Sequence, residues 1–160
     1  MEMSIDRIDS KIICLLQKDG RIPFTKIAEE LNLSEATIRS RTQRLIRDKV
    51  ISIVAVCEPR KLGFALTGNI KLQVSAGKMK EVIDELRELP EITYIALMTG
   101  PADVDMDFVV KSLEELNILI HNKLGIINGI IKIETSIITS YEKDKYDYGT
   151  VLSQNTENQE

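Results

Sequence analysis

Two hydrophobic rhythms divide the chain. Up to Asp48 the apolar residues recur three or four positions apart, the repeat of helices with one buried face. Ile5, Ile8, Ile12 and Leu15 or Leu16 stripe a first helix that Gly20 ends. Ile27, Ala28 and Leu31 stripe a second, and Ile38, Leu45 and Ile46 a third. Asn32 lies where the chain must reverse between the last two, and Asn is among the few non-glycine residues that tolerate a left-handed backbone. Ser34 is placed to cap the third helix, its hydroxyl accepting a hydrogen bond from a free amide of the first turn. The β-branched run VISIVAV that follows has strand character and reads as a wing or a pairing strand.

After CEPRKLGF the repeat shortens to alternation. Ile70, Leu72 and Val74 alternate with Asn69, Lys71 and Gln73, a half-buried strand. Met79, Val82, Ile83, Leu86 and Leu89 stripe a helix stopped by Pro90, and ITYIALMT is a second strand before the Gly100-Pro101 turn. Val104, Met106, Phe108 and Val110 alternate with Asp103, Asp105 and Asp107 in a third. Ser112 and Glu115 match a capping box, opening a helix with Leu113, Leu116, Ile120 and Leu124 on its buried side. Asn128-Gly129 turns the chain into a last strand, IIKIETSIIT. The order β-α-β-β-α-β predicts a ferredoxin-like sheet with both helices on one face. Its other face would carry Lys71, Gln73, Asp105, Asp107, Lys132 and Glu134, paired across strands in water or across a dimer interface. The fold class is therefore α+β. A winged-helix-like helix-turn-helix domain spans 1–50, a hinge strand and linker 51–62, and the ferredoxin-like domain 63–146. The polar tail from 147 to 160 shows no periodicity and reads as disordered.

Charge sharpens this division. The net charge of −4 is the sum of two unlike halves: 12 Lys+Arg against 9 Asp+Glu over residues 1–62, and 9 against 16 over the remainder, hence +3 and −7. A basic helical unit joined to an acidic sheet suggests that one half alone grips nucleic acid, weakly at a single site, which favours dimers or larger assemblies. No apolar run approaches the ~20 residues of a membrane span, and MEMSIDRIDS lacks the regions of a signal peptide, so a cytoplasmic protein is expected. Cys14, read as a buried apolar residue of the first helix, Cys57 and the single His121 are too few for a disulfide framework or a zinc site.

The third helix carries the strongest chemical signal. Between its apolar positions stand arginine and small polar residues, the side chains that suit phosphates and base edges of double-stranded DNA. Glu35, Ala36, Arg39, Ser40 and Gln43 are available to bases, and Arg41, Arg44 and Arg47, nearer the edges of that face, to phosphates. Ser34 and Thr37 belong to the same contact at the helix start. The plainer account is a helical hairpin whose charges merely face water. A first helix completing a three-helix unit favours a reader, and a two-fold dimer of readers would demand a roughly palindromic site. An enzyme of the palm type is the remote alternative, because Asp103, Asp105 and Asp107 line one strand. That chemistry needs a further acid on the first strand; GNIKLQVS has none, and Lys71 opposes the cluster. No catalytic set, metal site or cofactor is expected, and His121 reads as solvated.

Taken in order, IDRIDSKIICLLQKDGRIPFTKIAEELNLSEATIRSRTQRL, PRKLG, the TGPAD turn and the ETSI strand resemble the Lrp/AsnC family, the feast/famine regulators, over roughly Ile5 to Lys143. The resemblance implies a DNA-binding helix-turn-helix, a hinge strand, and a C-terminal ligand-binding domain that dimerises through its sheet, the dimers assembling further, often to octamers. It also implies an amino acid or related metabolite bound between dimers near the turn joining the second and third strands. Carried onto this chain, that points to Thr99, Gly100, Ala102 and Asp103, with Thr135 and Ser136 nearby. Backbone amides beside the Asp103 carboxylate suit the two charges of a zwitterion. This chain departs from the family pattern twice. Lys49 follows the reader helix where glycine is usual, which implies a strained backbone or a different exit, and Ala102 stands where an aromatic commonly precedes the aspartate. An architectural DNA-binding protein of the same fold without an effector remains open.

Overall fold

A computed structural model of the chain describes residues 5–153. They form two compact units, one of residues 5–55 together with 143–153, the other of residues 56–142.

In the first unit α1 (Arg7–Lys18), α2 (Phe24–Leu31) and α3 (Glu35–Arg47) enclose a core of Ile12, Ile13, Leu16, Ile27, Ala28, Ile38 and Leu45. Asp6 caps α1: its carboxylate accepts from the Asp9 amide at 2.8 Å, and the Asp9 carboxylate accepts from the Asp6 amide at 3.2 Å. Gly20 does not end α1, which closes one residue earlier on Asp19 with extended backbone. Cys14 is half-buried rather than buried. Asn32 takes the left-handed backbone its place between helices demands, at φ 54. The amides of Asn32 and Leu33 return to the carbonyls of Glu29 and Ala28 at 3.2 and 2.9 Å. The exit of α3 repeats this turn with Lys49 at φ 58, its amide and that of Val50 reaching Ile46 and Leu45 at 3.0 and 2.8 Å. This is a Schellman ending in which a lysine occupies the glycine position. Thr42, not Ile46, completes the buried face of α3: Ile38, Thr42 and Leu45 share one side, and Ile46 lies about 100° further round and is exposed.

Two expectations fail around this unit. VISIVAV joins no ladder among the described residues, since a strand exists only where a neighbour takes its hydrogen bonds, and the sheet below is assembled from other segments. The tail read as disordered from 147 instead has defined contacts through Ser153, residues 143–153 grouping with the helices. The Gln17 side chain donates to the Gly149 carbonyl at 3.3 Å and accepts from the Gly149 amide at 2.9 Å, and the hydroxyls of Ser10 and Thr150 share a hydrogen bond of 2.5 Å. Polar pairing of this kind leaves no apolar repeat to read. Residues 154–160 lie outside those described.

The second unit has the expected topology. β1 (Leu66–Val74), α4 (Met79–Arg87), β2 (Ile92–Leu97), β3 (Val104–Val110), α5 (Leu113–Ile118) and β4 (Ile130–Ile137) follow in order, and the antiparallel sheet runs β2-β3-β1-β4. Val82, Ile83 and Leu86 of α4 and Leu116 of α5 share one core with the inward residues of β1 and β3, so both helices cover the same face. Gly68 lets that core close. A Cβ there would overlap the Ser136 carbonyl and come within 2.5 Å of Phe108 Cζ. α5 continues as a π turn, Leu119–Lys123, and a 3-10 turn, Leu124–Ile126. Leu119 and Leu124, five apart, are fully buried, whereas Leu113 is exposed and Ile120 half-buried. The wider π turn rotates the buried stripe off the α-helical spacing. Ser112 caps α5 through the Glu115 amide at 3.2 Å, but the Glu115 carboxylate accepts from Lys111, one residue before the cap, at 2.8 Å.

Candidate nucleic-acid interface and effector turn

α3 begins where its cap requires. Ser34 Oγ accepts from the Thr37 amide at 3.1 Å and meets Thr37 Oγ1 at 2.8 Å, which occupies both hydroxyls of the helix start. Ala36, Arg39, Ser40, Gln43 and Arg47 are exposed at helical spacing, opposite the buried Ile38, Thr42 and Leu45. Glu35 is half-buried and bonds Arg39, Nη2 to Oε1 at 2.5 Å. Arg39 also lies over the Phe24 ring, 5.4 Å from its centroid. Arg47 reaches Asp48 at 3.0 Å through an exposed guanidinium.

Arg41 and Arg44 do not stand free for phosphates. Arg41 Nη1 donates to Asp6 at 2.6 Å and to Asp9 at 2.9 Å, and Arg44 donates to the other Asp9 oxygen. The Asp9 side chain is 1% exposed, and a carboxylate so buried must be paired. The two arginines therefore tie α3 to the first turn of α1. The Asp9 amide and then the Arg41 guanidinium hold the Asp6 carboxyl below the ordinary aspartate range. The sequence reading missed this cluster because Asp9 lies next to the apolar stripe of α1 and looks solvated by its type. The i, i+3 spacing of Asp6 and Asp9 at a helix start was the available signal. Among the exposed cations of this unit that make no ion pair with the described residues, Lys26 lies on α2 and Lys49 follows α3.

At the other candidate site, the turn between β2 and β3 is built against β1. Gln73 Nε2 donates to the Pro101 carbonyl at 2.8 Å, the Asp103 amide donates to Leu72 at 2.9 Å, and Asp103 Oδ2 accepts from the Val74 amide at 2.8 Å. Asp103 is thus partly spent on the fold. Gly100, at φ 135, and Thr99 are exposed, whereas Ala102 is buried beneath the turn. The amides of Gly100 and Ala102 donate to no protein acceptor among the described residues.

Thr135 and Ser136 are not brought to this turn within one chain. They pair with Ile70 and Asn69, while Lys132 pairs with Gln73, beside the turn. Three or four residues along a strand is roughly 10–13 Å. They also point apart, Thr135 to the helical face and Ser136 to the open one, because successive strand residues alternate. The open face carries the expected polar set, with Lys71 opposite both Asp105 and Glu134. The Asn69 amide bridges Asp105 and Asp107, the latter at 3.3 Å. His121 is exposed.

Comparison with known proteins places both halves. An AsnC-type helix-turn-helix domain model matches residues 5–46, and an Lrp/AsnC ligand-binding domain model matches residues 67–148. An HTH-type transcriptional regulator of Pyrococcus abyssi is 38% identical over 146 residues, 91% of this chain and 92% of that protein. The regulator FL11 of Pyrococcus furiosus is 37% identical over 141 residues, 88% and 93% of the two chains. Among solved structures, AsnC of E. coli superposes with a TM-score of 0.80 at 23% identity, covering 89% of this chain and 97% of its own. A Neisseria meningitidis transcriptional regulator in complex with L-Met gives 0.83 at 19% identity, covering 95% and 99%. At those identities the structures speak for the fold.

Proposed function

The chain belongs to the Lrp/AsnC family of transcriptional regulators, and from that premise we propose that it reads specific double-stranded DNA sequences as an assembly whose C-terminal domain senses an amino acid or related metabolite. The observation that carries the DNA reading is the exposed polar stripe of α3 set on a tight, capped turn. A helix so presented fits a major groove. Assembly follows from the sheet. Its open face carries both signs of charge, Lys71 lying between Asp105 and Glu134, so a two-fold copy offset from that row can set cation against carboxylate. The edge strands expose Tyr94, Leu97, Ile131 and Ile137, apolar area that further copies would cover, up to an octamer. Amino-acid sensing is supported by the free amides of the Gly100 turn and by the L-Met complex of the Neisseria relative. The pocket would be completed by a second dimer, since Thr135 and Ser136 stand apart from the turn in one chain. The protein is a regulator rather than an enzyme, and the cytoplasm is its place of work.

Light scattering tests the assembly: a particle of 18.1 kDa at micromolar concentration sinks it. Thermal-shift titration with the common amino acids tests the sensor, because a ligand that binds the folded state alone raises the melting temperature. One amino acid should do so and shift the particle mass as well. The architectural reading has one observation in its favour, the use of Asp103 by the Val74 amide. It predicts that none does.

A further inference from the structure

We infer that Arg39, held between Phe24 and Glu35, reads a guanine edge in the major groove, so that this trio sets one base of the target half-site. The inference rests on the reading of α3 as the DNA contact. Arg39 lies in the first half of α3, the part of a reader helix that reaches base edges. Its guanidinium is 5.4 Å from the Phe24 ring centroid and donates to Glu35 Oε1 at 2.5 Å, yet the side chain stays 55% exposed. Those contacts hold a long side chain from two sides and leave other N–H groups of the fork outward. Guanine presents two acceptors, O6 and N7, at the spacing of that fork. Phe24 belongs to α2, so Arg39 is fixed to the scaffold and surrenders little further rotamer freedom on binding.

The charges point the same way. A phosphate contact needs uncompensated positive charge, because affinity there comes from released counterions. Glu35 neutralises Arg39 at contact distance, so the pair offers directed donors with little net field. Its neighbours are placed differently: Arg41 and Arg44 are committed to Asp9, and Arg47 stands at the far end of the helix.

The test is selection from a pool of randomised duplexes by the full-length protein, with melting temperature measured for every variant. Wild type should enrich guanine at one position in each half-site. Arg39→Ala should cut the preference there by roughly tenfold to a hundredfold, leaving other positions and the salt dependence of affinity unchanged. Arg39→Lys keeps the charge but lacks the fork and should lose the same preference. Phe24 also packs on the helical core, so Phe24→Leu, assayed well below its own melting temperature, should lose part of it, and Phe24→Tyr, which keeps the ring, should retain it. An Arg39→Ala variant that still selects guanine, or that weakens all duplexes equally with a reduced salt slope, overturns the proposal while α3 remains the reader. A wild type that enriches no sequence overturns both.

Discussion

Lys49 carries a backbone cost that its neighbours impose. The two hydrogen bonds ending α3 require a left-handed residue there, and a side chain in that region costs roughly 1–2 kcal/mol, against a glycine entropy loss of roughly 0.5–1 kcal/mol. Lys49→Gly is therefore expected to stabilise by about 0.5–1 kcal/mol, seen as a higher denaturant midpoint at constant slope. Asp6 carries a pH signature. Its folded carboxyl titrates below the unfolded value of about 3.9, so its stabilisation is full above that value and lost as pH falls through the folded one. Acid melting curves should show this loss, and Asp6→Asn, which keeps an N-cap acceptor, should flatten it. Arg44→Ala should lower stability by about 1–3 kcal/mol by leaving the buried Asp9 with one arginine. Unchanged urea stability in that variant would return Arg44 to the phosphates.

At the scale of elements, Gly68 decides whether β1, β3 and β4 pack as a sheet. Gly68→Ala must displace the Ser136 backbone and the Phe108 ring together, and we expect it to cost at least about 1–3 kcal/mol. Equilibrium unfolding of the variant is the check, and neutrality would mean that β4 shifts freely. α1, α2, α3, β1 and β3 were legible because each buries a stripe at a fixed period, and the edge strands β2 and β4 because apolar, β-branched runs lie between turn residues. α5 was legible only in part, since its stripe runs Leu116, Leu119, Leu124 across a π turn that no α-helical spacing describes.

At the scale of the whole molecule, the chain leaves the helical unit after Ala55 and re-enters it at Lys143. The tail is held by Gln17 and Ser10, so a chain ended at Glu142 should show faster amide hydrogen exchange in α1 while the sheet core of Ile70, Leu72 and Met106 keeps its protection. Equal protection of α1 in both forms would make the tail an ornament of the surface.

The order of the helices and sheet strands, the cap at Ser34, the left-handed Asn32 and the family were determined by the sequence, because apolar period and turn chemistry are local properties. Lys49 was flagged there too, as either a strained backbone or a different helix exit, and it takes the strained backbone with the usual exit. Only the tertiary structure decided which arginines of α3 are tied to α1. That depends on Asp9, more than thirty residues away in the chain, needing partners once it is buried. It likewise decided that Thr135 and Ser136 lie on opposite faces and short of the Gly100 turn, since strand register is a relation between segments that neither segment contains alone.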